Sequence, residues 1–90
     1  MYYIVGDIGN TSTRICLLKK SKILKSIIFD TEKLLIKGFI KKILKNLKKK
    51  KLKKEILFSS VVPRALKKIK NDLKNENLKV LEIKSLSLKK

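Results

Sequence analysis

Short apolar runs separated by small polar clusters make up the amino-terminal part of this chain. Tyr3 to Ile8 is rich in β-forming residues and closes on Gly9-Asn10, the pattern of a buried strand entering a tight turn. Thr13 to Leu18 reads as a second strand. Lys19-Lys20-Ser21-Lys22 is polar and turn-like, and Ile23 to Phe29 reads as a third strand, so an antiparallel meander with short connections is predicted.

The period then changes. Asp30-Thr31 offers an N-cap and Glu32 falls in a first turn. Ile36, Ile40, Ile43 and Leu47 follow at helical spacing, flanked by Leu35, Phe39 and Leu44. One amphipathic helix is predicted, its lysines facing outward, ending in Lys48-Lys49-Lys50-Lys51 where like charges oppose continuation. Ile56 to Val62 fits a central strand buried on both faces. Pro63 fits the first position of a second helix with the stripe Leu66, Ile69 and Leu73. Asn75-Glu76-Asn77 breaks that helix, and Leu78 to Ile83 is a last strand before a lysine-rich tail. The order βββαβαβ, with no repeat and no linker, predicts one α/β domain over residues 1–90, a mixed sheet flanked by helices.

Composition narrows the chemistry. At 90 residues one modest core is the limit, and an apolar fraction of 43% is enough to build it. The net charge of +18, from 25 basic against 7 acidic residues, invites a nucleic-acid or anionic-surface reading. Lysine dominance disfavours it, because bidentate readout of phosphates and bases needs arginine's planar fork, and only Arg14 and Arg64 supply one. The lysines accompany many Ile, Leu and Asn, as in AT-rich coding, and a charge run is by default a solvated face. Cys16 is the single cysteine and histidine is absent, which excludes an internal disulfide, a thiolate metal cluster and a histidine general base within these residues. The start reaches Asp7 without a charged leader, and no apolar stretch approaches the ~18 residues of a membrane span. A soluble, reducing, cytoplasmic setting is the expectation.

The turn Gly6-Asp7-Ile8-Gly9-Asn10-Thr11-Ser12-Thr13 is richer than a hairpin requires. Gly9 allows positive φ or close approach of a ligand, while Asn10, Thr11, Ser12 and Thr13 present hydroxyls, an amide and successive peptide N–H groups. Such a turn can form an anion-binding concavity, each N–H to phosphate bond contributing roughly 1.5–3 kcal/mol. Asp7 would repel the same phosphate unless Mg²⁺ lay between them, a metal that takes hard oxygen ligands and keeps waters. Neither the G-x-x-x-x-G-K-[ST] nor the G-x-G-x-x-G pattern occurs. The same residues also suit a plain polar hairpin with an incidental aspartate.

Asp7-Ile8-Gly9-Asn10-Thr11-Ser12-Thr13 resembles the first phosphate motif of the acetate- and sugar-kinase/actin superfamily, and more narrowly the opening Asp-Ile-Gly-Asn-Thr-x-Thr of type III pantothenate kinases. Phe58-Ser59-Ser60-Val61-Val62-Pro63 resembles a second segment, Ser-Val-Val-Pro, that follows the first long helix in that family. The resemblance implies a ribonuclease H-like, actin-like ATPase half-fold, to which the element order also points.

It further implies phosphorylation of pantothenate at its terminal hydroxyl to 4'-phosphopantothenate, the first step of coenzyme A synthesis, using ATP, Mg²⁺ and a monovalent cation, K⁺ or NH₄⁺. By the same resemblance Asp7, Ile8, Gly9, Asn10, Thr11, Ser12, Thr13 and Arg14 would contact the ATP phosphates, with Asp7 facing the metal. The family carries Asn or Ser where Ser12 stands, and its arginine varies in position. Ser60 and Pro63 are expected to shape the pocket rather than bind. The family's catalytic aspartate lies in a Gly-x-Asp-Arg segment beyond this region, so no catalytic residue is expected here and the chain is expected to be an inactive amino-terminal part of a longer enzyme. A homodimer is implied for the full-length family. A basic binding domain and a non-catalytic regulatory relative are the alternatives.

Overall fold

The computed structural model describes residues 1–47 and 52–83. The predicted lysine terminus of the first helix and the tail after Ile83 lie outside them. Five strands form one sheet, β1 (Tyr2–Ile8), β2 (Ser12–Lys19), β3 (Lys22–Asp30), β4 (Leu52–Ser60) and β5 (Lys79–Glu82), in the order β3-β2-β1-β4-β5. β1 to β3 form the antiparallel meander that the sequence pattern calls for, whereas β4 runs parallel to β1 and β5 parallel to β4. This is the mixed α/β sheet that the element order predicts.

The meander turns at Lys20-Ser21, both with positive φ, 50° and 68°. Two residues in that region make the turn whose twist matches the flanking strands, reached here without glycine. Beyond β3 the predicted single helix is two pieces: a 3-10 turn over Thr31–Leu35 and α1 (Phe39–Leu47). Ile36 is extended, ψ 124°, and Gly38 has φ 81°, so the backbone breaks where the apolar spacing ran through. Ile36, read as the first residue of the helical stripe, is consequently exposed, and Leu34 of the 3-10 turn is buried instead. The amide of Gly38 donates to Oδ2 of Asp72 at 3.2 Å, and Phe39 packs edge-on against Phe29 with ring centroids 5.0 Å apart.

α2 (Pro63–Leu73) starts with proline, as expected, and buries Ala65, Leu66, Ile69 and Leu73. These join Ile40, Leu44 and Leu47 of α1 over one sheet face, against Ile4, Ile8, Ile15, Leu17, Ile56 and Phe58. Alternation puts Tyr3, Val5 and Asp7 of β1, Arg14 and Cys16 of β2, and Leu57 and Ser59 of β4 on the other face. β4 is central in the sheet but buried fully on one face only, with Ile56 and Phe58 sealed and Leu57 half-buried. It also begins earlier than its apolar run, at Leu52, because pairing to Tyr2 extends it. Among the described residues no helix is long and apolar enough to cross a membrane.

Candidate functional site

β1 is the strand at which pairing changes sense, antiparallel to β2 on one side and parallel to β4 on the other. In open α/β sheets ligands bind outside the carboxyl ends of the strands where the strand order reverses, which here is between β1 and β4. Here those ends are Asp7-Ile8 and Ser59-Ser60, and the turn Gly9-Asn10-Thr11 leaves from the same edge. The tertiary fold thus brings both sequence segments of interest side by side.

Asp7 is exposed, on the sheet face away from the helices. Its neighbours in register are Arg14 on β2 and Ser59 on β4. Paired residues share a face, so the side chains of Arg14, Asp7 and Ser59 leave the sheet in one row across three strands. Arg14 is half-buried, and its guanidinium reaches the thiol of Cys16, two positions farther from the turn. Burial pushes the Cys16 thiol up from its ordinary range, and the nearby Arg14 charge and hydrogen bond only partly offset this.

Asn10, Thr11 and Ser12 are exposed and stay available to a ligand. Ile8 and Thr13, both fully buried, turn their side chains into the core, so neither side chain can meet a phosphate. Thr13 instead shares a hydrogen bond of 2.8 Å with the hydroxyl of Thr31. Gly9 does not use positive φ, because of the three glycines only Gly38 has it. What constrains Gly9 is the turn itself, since a Cβ would lie 3.0 Å from the Ser12 carbonyl oxygen, to which the Gly9 amide also donates at 3.0 Å.

Thr31, expected only as part of a helix cap, is buried and reaches back to this turn. Its amide donates to the Thr11 carbonyl at 2.9 Å and its hydroxyl to the Gly9 carbonyl at 2.7 Å. Asp30 and Glu32, on either side of it, line a shallow depression of about 320 Å³ with Asn10 and Thr11. Ser59, Asp30, Thr31 and Glu32 were not read as site residues, and only the strand pairing and this long-range hydrogen bonding reveal them. At the other segment the amide of Val61 donates to the Ile8 carbonyl at 3.0 Å, and the Ser60 hydroxyl donates to the Val62 carbonyl while accepting from its amide, each at 3.0 Å. Ser60 therefore closes the bend into Pro63.

A Mg²⁺ ion fits this arrangement in one way. Among the described residues no group of three or more His, Cys, Asp or Glu side chains could form a protein cage. One exposed carboxylate beside a hydroxyl, completed by waters and phosphate oxygens, is the sparse protein contribution this metal accepts.

Comparison with known proteins agrees with the two segments. The chain matches type III pantothenate kinase over residues 3–89. The type III pantothenate kinase of Pelagibacter ubique (strain HTCC1062) is 43% identical, across 97% of this chain, which spans 36% of that relative's length. Two solved structures of the Aquifex aeolicus PPX-GPPA protein are similar at 18% identity, covering 92% of this chain. They give TM-scores of 0.45 and 0.40 over 36% and 35% of theirs.

Proposed function

This chain belongs to the type III pantothenate kinase family, and from that premise we propose that it is the amino-terminal, phosphate-gripping part of an ATP-dependent kinase of pantothenate. The observation that carries the reading is the row of Asp7 and Ser59 at the carboxyl ends of β1 and β4, with the exposed Asn10-Thr11-Ser12 turn rising from the same edge. Peptide N–H groups and hydroxyls of that turn bind the phosphate oxygens, and Asp7 is the residue assigned to Mg²⁺. When bound, Mg²⁺ supplies the positive charge that lets the carboxylate and the phosphates share the site. The monovalent cation, K⁺ or NH₄⁺, belongs to the family reading and is given no residue here.

In the reaction the bond from the γ-phosphorus to the bridging oxygen of ATP breaks, and one to the terminal hydroxyl oxygen of pantothenate forms. The hydroxyl proton leaves to a base that this chain is not asked to supply. In-line placement and charge neutralisation on both sides are required, so a half-site binds without turning over. Coenzyme A synthesis, a homodimer and a cytoplasmic setting are part of the same proposal.

Titration of the isotope-labelled chain with Mg-ATP tests the proposal. Amide shifts concentrated in residues 7–14, weakened when Mg²⁺ is withheld, are expected. Shifts confined to the lysines of α1 and α2 would overturn it.

A further inference from the structure

The turn after β1 is held from behind by a residue on a distant element. A single internal backbone bond, Gly9 to Ser12, closes the turn itself. Thr31 adds three contacts from the β3 terminus: its amide donates to the Thr11 carbonyl, its hydroxyl donates to the Gly9 carbonyl, and the same hydroxyl oxygen accepts from that of Thr13. Thr31 is 4% exposed and Thr13 is 0% exposed, so water does not compete for the bond between their hydroxyls.

Peptide geometry turns this anchoring into aim. In a trans peptide the carbonyl of one residue and the N–H of the next point in opposite directions. The Gly9 carbonyl is drawn toward the Thr31 hydroxyl, so the N–H of Asn10 points away from Thr31. The Thr11 carbonyl is drawn toward the Thr31 amide, so the N–H of Ser12 points away as well. Both donors of one short turn are thereby turned away from one buried threonine, that of Ser12 to the side of Gly9, whose amide donates to the Ser12 carbonyl.

We propose that Thr31 is a positioning residue for phosphate binding, touching no ligand itself but setting the direction of the Asn10 and Ser12 amides. This rests on the phosphate reading of the turn given above. Preorganised donors contribute most when their orientation is fixed before the anion arrives. Without the hydroxyl, the Gly9 carbonyl and the Thr13 hydroxyl lose a buried partner, and the Gly9–Asn10 peptide is free to rotate.

The test uses the full chain with Mg-ATP and, separately, inorganic tripolyphosphate, read by amide shifts and by hydrogen exchange of residues 9–12. Thr31→Val keeps the side-chain volume and removes the hydroxyl, and is expected to weaken both ligands about tenfold, as the loss of one well-aimed charge-assisted bond implies. It is also expected to speed exchange in the turn. Thr31→Ser restores the hydroxyl without the methyl, and is expected to bind within about threefold of the unaltered chain. A folded Thr31→Val that binds as the unaltered chain does would overturn the positioning role alone, and so would a folded Thr31→Ser that has lost binding. Should Thr31→Val fail to fold, Thr31→Ser decides. No response of the unaltered turn to either ligand would overturn the phosphate reading together with this inference.

Discussion

Gly6 faces the ring of Phe58 across the parallel pairing of β1 and β4, so closely that a Cβ at position 6 would overlap it. Phe58 is fully buried and is among the largest side chains of the core, so the ring has nowhere to retreat. Gly6→Ala is expected to cost about 1–3 kcal/mol through overpacking. A lower urea midpoint at unchanged slope would show it, and an unchanged midpoint would mean the ring can move.

Asp7 is exposed, so Asp7→Asn should leave stability within about 0.5 kcal/mol. Its predicted effect is on the ligand: the difference in ATP affinity with and without Mg²⁺ should shrink toward none. A retained Mg²⁺ dependence would move the metal to another residue.

Ser21 adopts φ 68° at the tip of the β2–β3 hairpin. A non-glycine residue there carries roughly 1 kcal/mol of strain, against a glycine entropy cost of roughly 0.5–1 kcal/mol. Ser21→Gly should therefore be neutral to slightly stabilising, while the β-branched Ser21→Val should lower the melting temperature. The ordering of the three melting temperatures is the measurement.

Asp72 accepts the Gly38 amide at 3.2 Å just before α1 and lies 3.3 Å from Lys68 Nζ. Asp72→Ala removes both and should cost about 1 kcal/mol, as loss of a helix-start acceptor does. Asp72→Asn, which keeps an acceptor oxygen, should recover most of it in the same denaturation experiment.

Cys16 is buried and its thiol is raised, so the folded chain holds the thiol proton where the unfolded chain, with an ordinary value of about 8.5, has begun to release it. Above that pH the native state binds more protons than the unfolded one, and stability must fall as pH rises toward the folded value. Cys16→Ala should flatten this alkaline decline in melts taken from pH 7 upward. Disulfide-exchange labelling of Cys16 should be slow in buffer and fast in urea.

Much of the fold was legible before any coordinates. The meander, Pro63 at the start of α2 and the stripe Leu66, Ile69 and Leu73 follow from local spacing, because periodic burial leaves a periodic record. The helix after β3 was legible only in part: Gly38 interrupts it, but the apolar spacing continued through the interruption and concealed it. Ile8 and Thr13 show a similar limit at the candidate site. Their place in a polar motif suggested ligand contact, while strand alternation sends both side chains into the core.

Local chemistry alone carried the identity of the exposed donors Asn10, Thr11 and Ser12 and of the carboxylate Asp7, because a motif is a property of neighbours in the chain. Which groups stand beside them was decided by tertiary pairing. Ser59 is brought into register with Asp7 only by the parallel pairing of β1 and β4, and Thr31 reaches Gly9 only because β3 returns along β2. Such contacts depend on closing long loops, a cost met by burial of the whole core and not by any feature of the residues that finally touch.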